Sequence, residues 1–385
     1  MFWKKQENKA GTNALVALTE LHTADWESVT PARMLEAGFR QNPISYRCIR
    51  LIAETAASVP ILAIEETPNA MAGQLKNLLT APTPGETGQS LLEAVYGDLQ
   101  VSGNAFLELV AGADDFPVFL RRVPPRAIEP MKDASGVLIR TRNGHRQISA
   151  DANGWMPVLH LRALDPGPAR LAMSPLKAAS RAVDIHNAGG NWAKALIDNA
   201  ARPSGALIYG KDGANLTPDQ FQRLKDQLQE AHAGARNAGR PMLLEGGLDW
   251  KPMGLTPADM DFIEARRESA REIALAFGVP PMLLGIPGDN TYANYKEANL
   301  AFWRLTVLPL VQRTIRALEA WFDGAGASGL RLKADLDAVP ALAPEREALW
   351  RRLAAADFLT EDEKRSIAGL SPVERPQSRE ANHAD

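Results

Sequence analysis

The run from Leu243 to Leu284 (LLEGGLDWKPMGLTPADMDFIEARRESAREIALAFGVPPMLL) constrains the fold more than any other part of the chain. It reads as a strand, a Gly/Pro-punctuated turn, a capped helix and a Pro280-Pro281 stop. Thr256 caps the helix, and Pro257 at its first position sacrifices no hydrogen bond because that N–H would be unpaired anyway. Asp259, three residues on, reaches back to the N–H of the cap. Met260, Ile263, Ala270, Ile273 and Phe277 follow on one face, and charged residues fill the others. The run holds no arrangement of nucleophile, base or metal ligands.

The same opening recurs. Ser174-Pro175 starts a helical stretch to about Asn199, with Gly189-Gly190 as its one expected break. Thr217-Pro218 opens a helix carrying Phe221, Leu224 and Leu228 on one face. Strand-like runs at Gly205–Tyr209 and Met242–Leu244, the second continuing unevenly through Leu248–Met253, make a strand–helix–strand module between two long helices. Upstream, a short helix is expected around Pro31 to Phe39 and a better one at Pro43–Ser58, with Ile44, Cys48, Leu51 and Ile52 on one face. Val59–Ile64 reads as a strand, Ser90 opens a helix, and Ala105–Val110 alternates like a strand. Between Pro117 and His160, short β-like runs and the Asn143-Gly144 hairpin signal predict a small antiparallel unit covered by helices. Downstream, a Gly/Asp/Asn-rich loop at Gly285–Asn290 precedes a helix from about Asn294 to Phe322. Its interior Pro309 should bend it near Leu305–Leu308. Leu330–Leu336 alternates as a strand, Pro344 to about Ala356 is helical, Thr360 caps a last helix, and the tail from Ser371 has the composition of a disordered segment. The fold class is α+β.

Composition is that of a globular chain, 45% hydrophobic and 23% charged. Its 43 basic and 46 acidic side chains leave a formal charge of −3, which disfavours tight, sequence-specific phosphate binding. The single cysteine, Cys48, makes no intrachain disulfide and reads as a small buried apolar residue. No apolar run of membrane-spanning length is present, and the basic start (MFWKK) lacks the apolar stretch of a secretory signal.

Phosphate-loop, dinucleotide, zinc-protease and nucleophile-elbow motifs are absent, and the six histidines are scattered at no ligand spacing. Asp261 and Glu264 share a helix face where two acids are able to hold Mg²⁺. The simpler reading is that Asp259 caps while the other acids favour the positive end of the helix dipole. Glu264, Arg266, Arg267, Arg271 and Glu272 are candidates for contact with a second copy, because a cyclic assembly needs one face of each copy to match a different face of the next. Tyr292 and Tyr295 beside Asn290, Asn294 and Lys296 are candidates for touching nucleic acid by stacking or phosphate contact.

Several ordered motifs together resemble the portal protein family of long-tailed phages. They are Ser102-Gly103-Asn104-Ala105-Phe106, Ser174-Pro175-Leu176, Asn237-Ala238-Gly239-Arg240 with Leu243-Leu244-Glu245-Gly246-Gly247, and Asp259 to Glu264. Ile273-Ala274 with Phe277 to Pro281, Thr291 to Asn294, and Thr306-Val307-Leu308-Pro309 complete the set. The likeness covers about residues 40–340, and the short chain is similar to the gene-transfer-agent members. It implies an N-terminal arm (1–40), an α/β wing (41–172), a first stem helix (173–200), a clip (201–255) and a second stem helix (256–281). A tunnel loop (282–296), a tunnel helix with a strand returning to the wing (297–338), and a short crown with a tail (339–385) would follow. The family further implies a dodecameric ring at one capsid vertex. Through it double-stranded DNA passes non-specifically during packaging and ejection, and to it the large terminase, the head–tail adaptor and the major capsid protein bind. Arg236 and Arg240 would lie in the clip at the docking end. The ring would be assembled in the bacterial cytoplasm and end in a virion or gene-transfer-agent particle, without a membrane, a cofactor or catalysis. The competing readings are another head–tail connector, which would be shorter than this chain, and a metal-dependent hydrolase or nuclease using Asp261 and Glu264.

Overall fold

Caps and stops set the helix boundaries. The computed structural model describes residues 31–112, 114, 116–131, 136–142, 144–167, 171–198, 205–209, 217, 219, 222–223, 248–252, 257–286 and 292–370. Helix α1 (Pro31–Arg33) runs into a π-helical segment (Met34–Arg40), and α2 (Pro43–Ala57) begins after Asn42, whose Oδ1 accepts the N–H groups of Ile44 and Ser45, both at 3.0 Å. Cys48, Ile49, Ile52, Ala53 and Ala56 form the buried face of α2, which packs on α4 (Gly88–Ser102). Between them lie β1 (Ile61–Glu65) and α3 (Ala70–Thr80). The sequence reading passed over α3. Asn69 caps it and Ala72, Leu75 and Leu78 are buried at three-residue spacing, but Gly73 and Asn77 dilute that stripe.

Two cores share one strand. β2 (Asn104–Ala111) lies between β3 (Pro117–Val123) and β7 (Val158–Arg162), antiparallel to both. The strand read from Ala105–Val110 is present, and residues 104–109 are all buried because its two faces meet two cores: Ala105, Leu107 and Leu109 enter the main core, while Phe106 joins a second cluster with Val123, Ile128 and Ile139. That cluster is closed by the sheet of β4 (Ile128–Pro130), β5 (Gly136–Thr141) and β6 (Gly144–Ser149). Thr141 pairs with Gly144, so Gly144 opens β6 and the hairpin closes one residue before the place that the Asn-Gly signal marked. Glu108, buried on β2, accepts from Arg121 of β3 at 2.8 Å and from Arg146 of β6, tying the two sheets together.

A polar clasp fixes where the chain leaves this layer. Gly103 has φ of 75°, and a Cβ there would lie 2.7 Å from the Met173 carbonyl, so no side chain fits. Asn104 Nδ2 donates to the carbonyls of Ser102 (2.8 Å) and Ala172 (3.1 Å). Its Oδ1 accepts from the Ala172 N–H at 3.0 Å and meets His160 Nε2 at 2.9 Å. An amide oxygen only accepts, so His160 carries its proton on Nε2. The imidazole stacks on Phe106 with centroids 4.3 Å apart, and burial pushes its pKa down to about 4 with help from Arg162.

Beyond the clasp, Ser174 Oγ caps α5 (Pro175–Ala178), the chain turns at Ala179, and α6 (Ser180–Asp198) follows. The break expected at Gly189-Gly190 is therefore at Ala179. Glycine weakens a helix by only about 1 kcal/mol and keeps both backbone partners, so packing overrides it. β8 (Gly205–Tyr209) and β9 (Leu248–Pro252) pair antiparallel, and α7 (Pro257–Phe277) returns to the core. A 3₁₀ turn (Pro281–Leu284) precedes α8 (Tyr292–Phe302), a π turn (Trp303–Val307) and α9 (Leu308–Gly324). The long helix thus starts earlier than expected, and Tyr292 to Lys296 belong to it rather than to a loop. Pro309 offers no N–H to the Leu305 carbonyl, and the irregularity sits in the turn before it, as the sequence suggested. β10 (Leu330–Ala334) returns to pair with β1, Ile61 opposite Ala334, and α10 (Ala343–Ala354) leads to α11 (Glu361–Ala368), opened by a Thr360–Glu363 capping box. Phe221, Leu224, Leu228, Met242 to Leu244, the N-terminal arm and the tail lie outside the described residues.

Asn104→Ala removes one side of four hydrogen bonds in a closed site and is expected to destabilise the fold by about 2–4 kcal/mol, read by chemical denaturation. His160 gives a pH signature. Its stabilising effect is complete above the ordinary histidine pKa near 6.5; below it the unfolded chain takes up the proton first, so stability falls with pH down to about 4. A pH series of melting curves should show this loss in the native chain and a weaker one in His160→Gln.

Candidate functional site

Helices α6 and α7 form an antiparallel pair, with Trp192 stacked on Phe262 (centroids 5.2 Å, 18° between planes) and Gly189 opposite the Arg266 side chain. One end of the pair is embedded: Ala182 and Val183 of α6 and Ala270, Ile273, Ala274 and Phe277 of α7 are buried. The other end projects. Phe262 and Ile263 are each 52% exposed, so the apolar stripe read from the sequence is core only in its C-terminal half. The Met260 side chain lies outside the described residues.

A buried hinge of polar groups anchors α6 at its base. Asn42, which caps α2, also turns its Nδ2 toward His186 Nδ1 (3.2 Å) and Asn187 Oδ1 (2.9 Å). Asn187 in turn donates to the Ala37 carbonyl at 2.9 Å, and Arg33 pairs with Asp184 at 3.4 Å. With Asn42 as donor, His186 accepts on Nδ1 and holds its proton on Nε2. Its pKa is lowered by burial and secondarily by the positive charge of Arg266. Sequence reading missed Asn42 and His186 as partners, since 144 residues separate them.

The charged candidates of α7 are found mostly in pairs along the helix. Glu264 accepts from Arg267 and Glu268 from Arg271, each at 3.3 Å between exposed side chains. Such pairs contribute roughly 0.2–0.5 kcal/mol each, so they do not decide how the helix packs. Arg266 faces α6 at Gly189, and Glu272 is exposed. Among the described residues no group of three His, Cys, Asp or Glu that could hold a metal ion occurs; the Asp261 side chain, and with it the Asp261/Glu264 pair read from the sequence, lies outside them.

The candidates near the start of α8 do not share one direction. Asn294, Tyr295 and Lys296 are exposed on successive helical positions, about 100° apart. Tyr295 lines a cleft against Arg47, Leu51 and Glu54 of α2, with Leu283 and Asn299 completing it. Tyr292 is helical; its side chain, and Asn290, Arg236 and Arg240 altogether, lie outside the described residues. Among the described residues no helix is long and apolar enough to cross a membrane.

This architecture has close counterparts. The chain is 36% identical over 378 residues, 97% of each chain, to an uncharacterized protein of Rickettsia bellii. It is 24% identical to a probable portal protein of Streptomyces phage phiC31, over 91% of this chain and 78% of that one. A chain from the neck of a native GTA particle, computed with C12 symmetry, superposes with a TM-score of 0.71 at 45% identity, covering 91% of this chain and 96% of that one. The family model for phage portal proteins matches residues 43–369, which includes the clasp, the helix pair and the π turn. The chain therefore belongs to the phage portal protein family.

Proposed function

We propose that this chain assembles as a dodecameric ring at one vertex of a tailed-phage or gene-transfer-agent particle, where double-stranded DNA passes through it during packaging and ejection. The observation that carries the proposal is the 45% identity, over 91% of the chain, to a protein in a GTA neck of twelve-fold symmetry. The ring docks the large terminase and the head–tail adaptor and sits in a shell of major capsid protein, and it acts as a non-enzymatic conduit. Residues 41–172 serve as the wing, α6 and α7 as the stem, 201–255 as the clip, and α8 to α9 as the tunnel helix. Glu264, Arg267, Arg271 and Glu272 face a neighbouring copy, and Arg266, whose stem packs on α6 at Gly189, adds its exposed end to that face. Asn290, Tyr292, Asn294, Tyr295 and Lys296 lie toward the channel, and Arg236 and Arg240 belong to the docking end.

Physical properties favour this reading over a specific DNA binder. A net charge of −3 keeps phosphate contacts few, so a duplex slides rather than sticks. The projecting apolar end of the helix pair, with Phe262 and Ile263 half exposed, needs cover that a monomer does not supply.

Electron microscopy with native mass of the purified 41.8 kDa protein should show closed rings of about twelve copies, on the order of 500 kDa. A monomer or dimer that persists with capsid partners present would overturn the ring. Ile263→Pro, which removes a helix hydrogen bond and clashes with the preceding turn at a penalty of about 3 kcal/mol or more, should abolish DNA-filled particles. Particles that still fill normally with this variant would count against the stem assignment.

A further inference from the structure

Where α7 ends and the π turn begins, the surface changes character. Leu275 is 80% exposed and Leu305 78%. With Val279, Pro280, Pro281 and Phe302 they line an open apolar groove of about 390 Å³, and Glu268, Arg271 and Glu272 stand along its edge.

Both leucines stand where their own helices do not need them. On α7 the outward row runs Glu264, Glu268, Arg271 and then Leu275, at spacings of four, three and four residues. A charged, salt-bridged row thus ends in a leucine. Leu275 is about 200° round the helix from buried Ile273, so it points away from the core that its neighbours enter. Leu305 sits midway between Trp303 and Val307, both buried, and the π turn aims it outward. An apolar centre with a charged edge of both signs is the anatomy of a protein–protein contact.

We infer that the Leu275–Leu305 groove seats a second copy of this chain, an assignment that rests on the ring reading given above. A cyclic contact is heterologous, so each copy must present two different surfaces. This chain carries them: the groove at the embedded end of the helix pair, and separate apolar surface at Phe262 and Ile263, each 52% exposed, at the projecting end. The groove lies on the side of α7 opposite its buried face, where a neighbour reaches it without disturbing the monomer's core. Covering the groove removes two large aliphatic side chains from water, which favours association. Mixed-sign edges and a net charge of −3 let identical copies approach without strong repulsion.

The test compares the native chain with Leu275→Lys, Leu305→Lys and the conservative Leu275→Met, by native mass, electron microscopy and thermal melting. At such exposed sites the lysine variants should melt like the native chain, yet the association constant between copies should fall by at least about tenfold, leaving monomers at concentrations where the native chain and Leu275→Met form rings. If the native chain forms rings and both lysine variants form them equally well at the same concentration, the groove is not the seat, although the ring reading survives. If the native chain forms no ring even with capsid partners, the ring reading fails and takes this inference with it.

Discussion

The hydrogen bonds of Asn104 decide the geometry of everything downstream. One amide side chain at the start of β2 holds the backbone of Ala172 from both sides, and Gly103 lets that backbone come within contact distance. The next residue but one, Ser174, caps the helical stretch that becomes α6. The direction in which the helix pair leaves the sheet layer is therefore set by a few ångströms of polar contact, not by the pair itself. His160 closes the site from β7, and burial with the nearby charge of Arg162 keeps it neutral until the pH falls to about 4.

A second set of polar contacts repeats this logic at the other side of the pair. Asn42 ends one loop, caps α2 and holds α6 through His186 and Asn187. Both hubs are asparagines, whose side chains offer two donors and one acceptor oxygen on a short stem, enough to join three backbone segments at once. Apolar packing around Ile273 and Phe277 then supplies the bulk of the stabilisation, while the exposed ion pairs of α7 add little.

What the sequence disclosed was local. Ser174-Pro175, the Thr360–Glu363 box and the irregular turn before Pro309 are signals written within a few residues, and each has its expected place in the structure; the Asn143-Gly144 signal finds its hairpin to within one residue. Helix α3 was missed because Gly73 and Asn77 interrupt a short stripe. The strand β2 was legible from its alternation, but which of its faces meets which core was not. The residues placed the long helix from about Asn294 and the resemblance placed a loop up to 296; the helix begins at Tyr292. The clasp and the Asn42 hub join residues far apart in sequence, and no spacing rule reaches across such gaps. Leu275 carried one legible hint, an aliphatic residue in an otherwise charged row.

The π turn at Trp303–Val307 makes chain length adjustable at a point inside a long helix. Such a turn holds one residue more than an α-helical turn yet carries the chain through about the same angle, because its hydrogen bonds close one residue further on. Deleting a single residue there would restore regular α geometry and leave α9 facing as it does, with Ile315, Leu318 and Phe322 still in the core. A deletion further along α9 would instead rotate all that follows by about 100° and carry buried side chains outward. Related chains should thus tolerate a difference of one residue between Phe302 and Pro309 where they do not within α9.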